Sequence, residues 1–464
     1  MKRAETQVYK SFKLTKKGFR FYYQIDNEES SFWISTDHAR IKIDDESKEL
    51  VSGHIGLSFL VDIAVICLPR KIVINALSIS DEQLELWKWV YEEASLERAY
   101  FEKIELFFLD TVWEINHDPD LLRMFSKTRP LENVTISMSG GKESITALNL
   151  FKNYPHLSLL FFDCNDKNSF YMRKAYDRLR TEFQNYQINT SIGHTGKLMK
   201  KYECKYYAMS LIGQLIFNSL LYSDKIDYLI IGNEYSSNFG NANYKGKLVN
   251  HQFDKTIQFA ERVNDYIRKY FNGVIEYTSP FFGLYEYRIA ELFFSDNDYL
   301  DIWTSCNNSN SKHNFCCRCP KCAFIYIISL PFVEKNILDK YFSESPLEKV
   351  KLCKPLIDIN SDKPVDCVGE KKECWVALYK VLEQNKANDS GVVQYFKNEI
   401  LPEIWQDLRE MELEITTEQS QFKYFPEKFL KYMPARFFVS ASSSVASCSN
   451  FAAPLLENVK ANSK

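Results

Sequence analysis

A short strand pattern at Val134–Met138 runs straight into Ser139-Gly140-Gly141-Lys142-Glu143-Ser144, and a helical pattern over Lys142–Lys152 follows without a spacer. A tight turn between a buried strand and a helix needs residues without bulk, which the paired glycines supply. Such a turn presents backbone N–H groups and a helix N-terminus to any anion at the strand end. Ser139 and Ser144 add hydroxyl donors and Lys142 adds a charge. In a doubly wound sheet that crevice is where ligands sit. The spacing is not G-x-x-x-x-G-K-[ST], so the turn is not a Walker-type loop.

The surroundings suit this reading. Leu157–Phe162 and Asp227–Ile231 read as apolar strands and Gln187–Ser191 as extended, with helices expected at Phe170–Phe183 and Tyr206–Tyr222. Strands apolar throughout and separated by helices predict an α/β fold, a parallel sheet with helices on both faces. Ahead of it, Phe19–Gln24, Ser31–Ile34, Gly56–Cys67 and Lys71–Ala76 read as strands, with Ile55–Pro69 taken as a buried strand pair. Asp81–Leu106 turns helical, carrying Leu84, Trp87, Val90 and Tyr91 on one face. Past Pro331, Glu373–Leu382 and Val392–Met411 read as helices, and Ser440–Lys464 as a loose tail. The expected division is an α+β domain over 1–130, the loop-bearing domain over 131–335, a mixed, largely helical domain over 336–439, and a disordered tail over 440–464.

Net charge is −3 over 464 residues, with no basic excess to argue for a nucleic-acid partner. Met1–Lys17 is polar and basic, unlike a secretory signal, and Ile55–Pro69 falls short of the ~20 residues of a membrane span. The expectation is a cytoplasmic protein with no membrane partner, and its twelve cysteines should then be thiols. Cys306, Cys316, Cys319 and Cys322 have the spacing for one tetrahedral Zn²⁺, with Cys317 spare. Packed, inert thiols or an iron–sulfur cluster are the other readings.

Two polar strings lie between the loop and the cysteines. Asn233, Glu234 and Ser236 follow the strand Asp227–Ile231, so they should emerge at the same sheet edge as the loop. Asn250, His251 and Gln252, then Lys255, form a string that opens a helix expected over Asp254–Phe271, where capping alone would account for Asn250 or Asp254.

The loop resembles the SGGxDS signature of the PP-loop (N-type ATP pyrophosphatase) superfamily, with Glu143 in the usual Asp position. GNEYSS, VNHQFDK, WTSCN, the CxxCPKCAF run, HIGLSF and KPVDCVGE (Lys363–Glu370) together resemble strings of the UDP-N-acetylmuramoyl-L-alanyl-L-glutamate epimerases, over roughly His54 to Ala377. Ser139 and Cys317 each stand where glycine is typical of that branch.

The resemblance implies ATP cleavage between the α and β phosphates, with Mg²⁺ on the triphosphate, to adenylate a glutamate carboxylate and allow inversion at the α-carbon. The substrate would be nucleotide-linked, in peptidoglycan precursor synthesis. It places ATP and its phosphates on Ser139, Gly140, Gly141, Lys142, Glu143 and Ser144, with Asn233, Ser236, Asn250 and Lys255 nearby. Glu234, His251 and Cys367 are the candidates for catalysis, His251 first because imidazole titrates near working pH. A 7-cyano-7-deazaguanine synthase-like ligase and a non-catalytic ATP sensor are the competing readings.

Overall fold

A computed structural model describes residues 1–37, 40–116, 131–164, 169–191, 195–206, 210–296, 298–306, 314–417, 425–433 and 437. The tail expected over 440–464 lies outside them.

The chain opens with an antiparallel meander, β1 (Thr6–Thr15), β2 (Gly18–Ile25) and β3 (Glu28–Thr36). It alternates buried and exposed residues, as a sheet with one covered face must. Phe21, Tyr23 and Phe32 face α1 (Asp45–Cys67): Phe59 stacks on Phe21, and the Tyr23 hydroxyl donates to the Gly56 carbonyl at 2.8 Å.

Helix α1 corrects the strand pair expected at Ile55–Pro69. Asp44 caps it by accepting from the Ser47 N–H at 2.8 Å, a contact worth about 1 kcal/mol. Leu68, in the left-handed region at φ 42°, ends it. By length and composition this helix could cross a membrane, yet 94% of its most apolar window is buried inside the protein. It is a core helix, apolar on every side because every side is covered.

Next come β4 (Lys71–Ser78), α2 (Asp81–Glu102) and β5 (Val112–Asn116), and then the alternating part: β6 (Val134–Ser137), α3 (Lys142–Phe151), β7 (Leu157–Asp163), α4 (Ser169–Leu179), β8 (Gln184–Thr190), α5 (Gly196–Lys201), α6 (Leu211–Ser219) and β9 (Tyr228–Ile230). A small hairpin, β10 (Ala242–Tyr244) and β11 (Lys247–Val249), precedes α7 (Ile257–Tyr270) and β12 (Glu276–Thr278). Helices α8 (Glu286–Ser295) and α9 (Pro320–Ser329) follow, then a helical region that includes Val350–Ile357, Lys371–Glu383 and Leu408–Thr416.

Among the described residues, ten strands make one α/β sheet in the order β12-β9-β6-β7-β8-β3-β2-β1-β4-β5. It is parallel from β12 to β8 and again from β1 to β5, and the antiparallel β8–β3 pairing (Ile34 opposite Thr190) joins the meander to the parallel strands. The chain forms two compact units. The first, Met1–Ser139, Asn153–Ile231 and Ala242–Thr278, holds the whole sheet. The second takes Gly140–Lys152, Gly232–Asn241 and the described part of Ser279–Lys464.

Candidate functional site

Strand β6 lies between β7 and β9, parallel to both, so the strand order reverses beside it. That is the switch point where open α/β sheets leave a crevice at the carboxyl ends of their strands. The segments leaving β6, β9 and β12 all depart from this edge, since β9 and β12 are also parallel. The polar string after Ile231 therefore starts where the sequence places it.

Within the second unit, Gly140 sits at φ 80°, a left-handed conformation that costs glycine nothing. Gly141 is the N-cap of α3 and adds no side-chain cap. The turn is braced by a segment that sequence reasoning passed over as a mere string. The Thr304 N–H donates to the Gly140 carbonyl at 2.8 Å, and the Lys142 N–H donates to Ser305 Oγ at 3.4 Å. Ser144 Oγ turns back to the Gly141 carbonyl at 3.0 Å, while Ser139, just before the turn, is exposed.

The Lys142 side chain is wholly buried; its ammonium pairs with Glu143 and stands 3.3 Å from Glu286. Burial opposes that charge, but Glu143, Glu286 and Glu234 outweigh it and hold the ammonium above its ordinary pKa. Burial drives the Glu286 carboxyl well above the usual carboxylate range against the pull of Lys142, and Glu234, Glu143 and Glu373 add to the rise. Glu373 is pushed up to about 7 by burial, even though it accepts from Ser236 Oγ at 2.7 Å and from the N–H groups of Glu370 and Tyr287 at 2.8 Å each. Glu234 and Asn233 are both 1% exposed, and the Asn233 carbonyl accepts from Ser279 Oγ at 2.7 Å. Glu286 and Glu373 are not among the site residues that the sequence singles out, because each lies inside an ordinary-looking helical stretch.

The second polar string belongs to the first unit. It does not open a helix. Asn250 Oδ1 accepts from the Gln252 N–H at 2.9 Å, a short 3-10 turn spans Phe253–Lys255, and the cap of α7 is Thr256. This replaces the expected helix start at Asp254. Lys255 ends the 3-10 turn, its N–H on the Gln252 carbonyl at 2.9 Å. His251 Nδ1 lies 2.5 Å from Glu97 Oε1, which also accepts the Tyr206 hydroxyl. Nothing in the sequence pattern marked Glu97, which sits inside the amphipathic α2.

Cys367, half-buried in the second unit, donates its N–H to Asp366 Oδ1 at 2.8 Å. Its segment is tied down by the Lys363–Glu370 ion pair at 2.6 Å and by Asn241 Nδ2 donating to the Pro364 carbonyl at 2.7 Å.

All described cysteines are free thiols. The sulfurs of Cys306, Cys316, Cys319 and Cys322 lie within 4.8 Å of one another, and Cys316 and Cys322 are 3.8 Å apart. Four thiolates ~2.3 Å from a tetrahedral Zn²⁺ stand ~3.8 Å from each other, so the donor set fits such an ion. Cys319 is the N-cap of α9, Pro320 opens the helix, and Cys322 falls in its first turn. Cys317 points elsewhere, towards the Phe315 carbonyl and Ser343 Oγ, and its φ of 55° explains why glycine suits that position.

Residues 209–280 match the family model described as the MurL N-terminal domain, and residues 302–411 match the MurL C-terminal domain. The chain is 27% identical over 188 residues to the UDP-N-acetyl-alpha-D-muramoyl-L-alanyl-L-glutamate epimerase of Xanthomonas oryzae pv. oryzae, covering 39% of this chain and 42% of that protein. It is 26% identical over 204 residues to the enzyme of the same name from Micromonospora sp., covering 42% and 46%. For the Salinispora tropica enzyme the figures are 27% over 184 residues, 38% and 40%. The chain thus spans less than half the length of these curated relatives. No solved structure matches it.

Proposed function

We propose that this chain is an ATP-dependent epimerase that inverts the terminal L-glutamate of UDP-N-acetylmuramoyl-L-alanyl-L-glutamate during peptidoglycan precursor synthesis. One observation carries the reading: the segments that match the two MurL models, 209–280 and 302–411, are those that bear the GNEYSS string, His251, the four-thiol knot and Cys367.

The chemistry follows from the substrate. A glutamate α-proton is weakly acidic because its carbanion would sit beside a carboxylate. If a carboxylate oxygen attacks the α-phosphorus of ATP and pyrophosphate leaves, the negative charge is masked and an enolate becomes accessible. Proton removal from one face and return to the other inverts the centre, and water then cleaves the acyl phosphate to release AMP. The turn Ser139–Ser144, with the first N–H groups of α3, would hold phosphates. Lys142 supplies a fixed positive charge there, and the carboxylates of Glu143, Glu234, Glu286 and Glu373 are oxygen donors of the kind Mg²⁺ takes. Asn233, Ser236, Asn250 and Lys255 are assigned to substrate or nucleotide contacts. His251 is the first choice for the proton transfer and Cys367 the second; a positioned acid or base contributes ~10²–10⁴-fold. The four thiols would hold a structural Zn²⁺ that pins the segment bracing the turn.

The test is turnover in D₂O with ATP, Mg²⁺ and the UDP-linked dipeptide. Deuterium at the glutamate α-carbon together with AMP is the expected result. AMP without α-deuterium points to a ligase instead, and neither product leaves the epimerase reading without support.

A further inference from the structure

We propose that Glu97 is a positioning residue that holds the His251 ring in its Nδ1–H form, a role that rests on the reading of His251 as the proton-transfer group. Glu97 projects from α2, a 22-residue helix, and is 1% exposed, whereas the His251 side chain keeps 19% of its surface in contact with solvent. A carboxylate so far from water is costly unless charge-assisted donors satisfy it. Here two donors converge on the single oxygen Oε1: His251 Nδ1 at 2.5 Å and the Tyr206 hydroxyl, which itself lies 3.4 Å from Nδ1.

The same helix fixes the second donor. Five residues on from Glu97, Glu102 accepts from the N–H groups of Lys205 and Tyr206 at 2.6 and 3.0 Å and pairs with Arg98 at 3.2 Å. The Tyr206 ring also lies against Phe101, with centroids 3.9 Å apart. Backbone and ring of Tyr206 are thus set by α2 before its hydroxyl meets Glu97.

At 2.5 Å, a lone pair on Nδ1 would face a lone pair on Oε1, so the contact selects the ring form with a proton on Nδ1. In the neutral ring Nε2 then carries the lone pair that can accept a proton. When it does, the Glu97 carboxylate stabilises the resulting imidazolium, as an oriented acid behind a histidine does in other acid–base sites. Tyr206 keeps Oε1 aimed at the ring rather than elsewhere. Asp254, whose Oδ2 accepts the Ile212 N–H at 3.2 Å, and Lys255 are charged side chains beside this pair in the first unit. The backbone contact commits Asp254 to the fold, while Glu97 is the carboxylate at Nδ1.

Two measurements test this. The first needs no turnover: in ¹⁵N-histidine-labelled wild-type protein, with His251 assigned by its loss in His251→Gln, the neutral ring should show the Nδ1–H pattern, and Glu97→Gln should shift it towards Nε2–H. A wild-type Nε2–H pattern, or one indifferent to Glu97→Gln, overturns the proposal. The second is kinetic: Glu97→Gln should lower the rate of α-deuterium incorporation by ~10²–10⁴-fold with KM for the dipeptide within threefold. Glu97→Asp, which keeps the charge, should recover at least tenfold of that loss. A Glu97→Gln enzyme within threefold of wild type sinks the positioning role. Should Glu97→Gln fail to fold, the wild-type spectrum and Glu97→Asp kinetics still decide. If wild type incorporates no deuterium at all, the epimerase reading fails while the tautomer measurement stands on its own.

Discussion

Gly232 shows how one hydrogen atom can hold a site together. A Cβ placed there would stand 2.4 Å from the Glu143 Cβ, a separation relaxed side chains do not show, and a tight 3.1 Å from its carbonyl carbon. The string after β9 can therefore lie against the first turn of α3 only where the side chain is absent. Gly232→Ala should cost about 1–3 kcal/mol of unfolding free energy by overpacking and push Glu143 off Lys142. Denaturant unfolding gives the first number and AMP formation reports the second; an unchanged midpoint with full turnover would show that the contact relaxes freely. Glu143, the departure from the usual Asp, reaches the neighbouring ammonium from its own first-turn position. A side chain one methylene longer thus still finds a cationic partner.

At the scale of the element, α1 sets the terms for the sheet-bearing unit, and Asp62 is its costly residue. The carboxylate is 1% exposed, accepts from the Gln214 amide and, at 3.2 Å, from the Ser210 N–H, and burial pushes it up to about 7. A carboxyl whose folded pKa lies above its unfolded value keeps a proton that the unfolded chain has released. Its contribution is full below about pH 4 and is lost as pH rises towards about 7. The stability of wild type minus that of Asp62→Asn should therefore fall across that window, by at most roughly 4 kcal/mol. A difference flat in pH would mean Asp62 is ionised in the fold. The same helix marks the limit of sequence reading. Periodicity locates a helix by contrast between faces, and α1, covered on all sides, offers none, so its Ile and Val residues passed for strands. The strand–turn–helix at Val134–Phe151 and the four-thiol spacing were legible because glycine and cysteine patterns are local. Glu286, Glu373 and Glu97 were not, because their partners lie tens to hundreds of residues away and only folding brings them together.

For the whole molecule, the telling fact is that the second unit is assembled from three separated stretches, with α3 packed on α8 across more than a hundred residues of chain. The four-thiol knot lies in that unit, so removing the proposed Zn²⁺ should loosen the unit as a whole. Hydrogen exchange after chelation is the measurement. Protection is expected to fall in Lys142–Phe151 as well as around Pro320–Ser329, while Val134–Ser137 and Leu157–Asp163 in the first unit keep theirs. Loss confined to the residues beside Cys306–Cys322 would show that the metal serves only its own loop. The split assembly also has a consequence in time. As the polypeptide is made, α3 emerges with a lysine destined for a buried seat, and Glu286, which completes that seat, is 144 residues behind it. At about 5–20 residues per second, Lys142 spends on the order of 10 s as an exposed cation on a nascent chain. Closure of the glycine turn is therefore a late event of synthesis, and a chain cut short anywhere in that interval carries the turn without the residues that brace it.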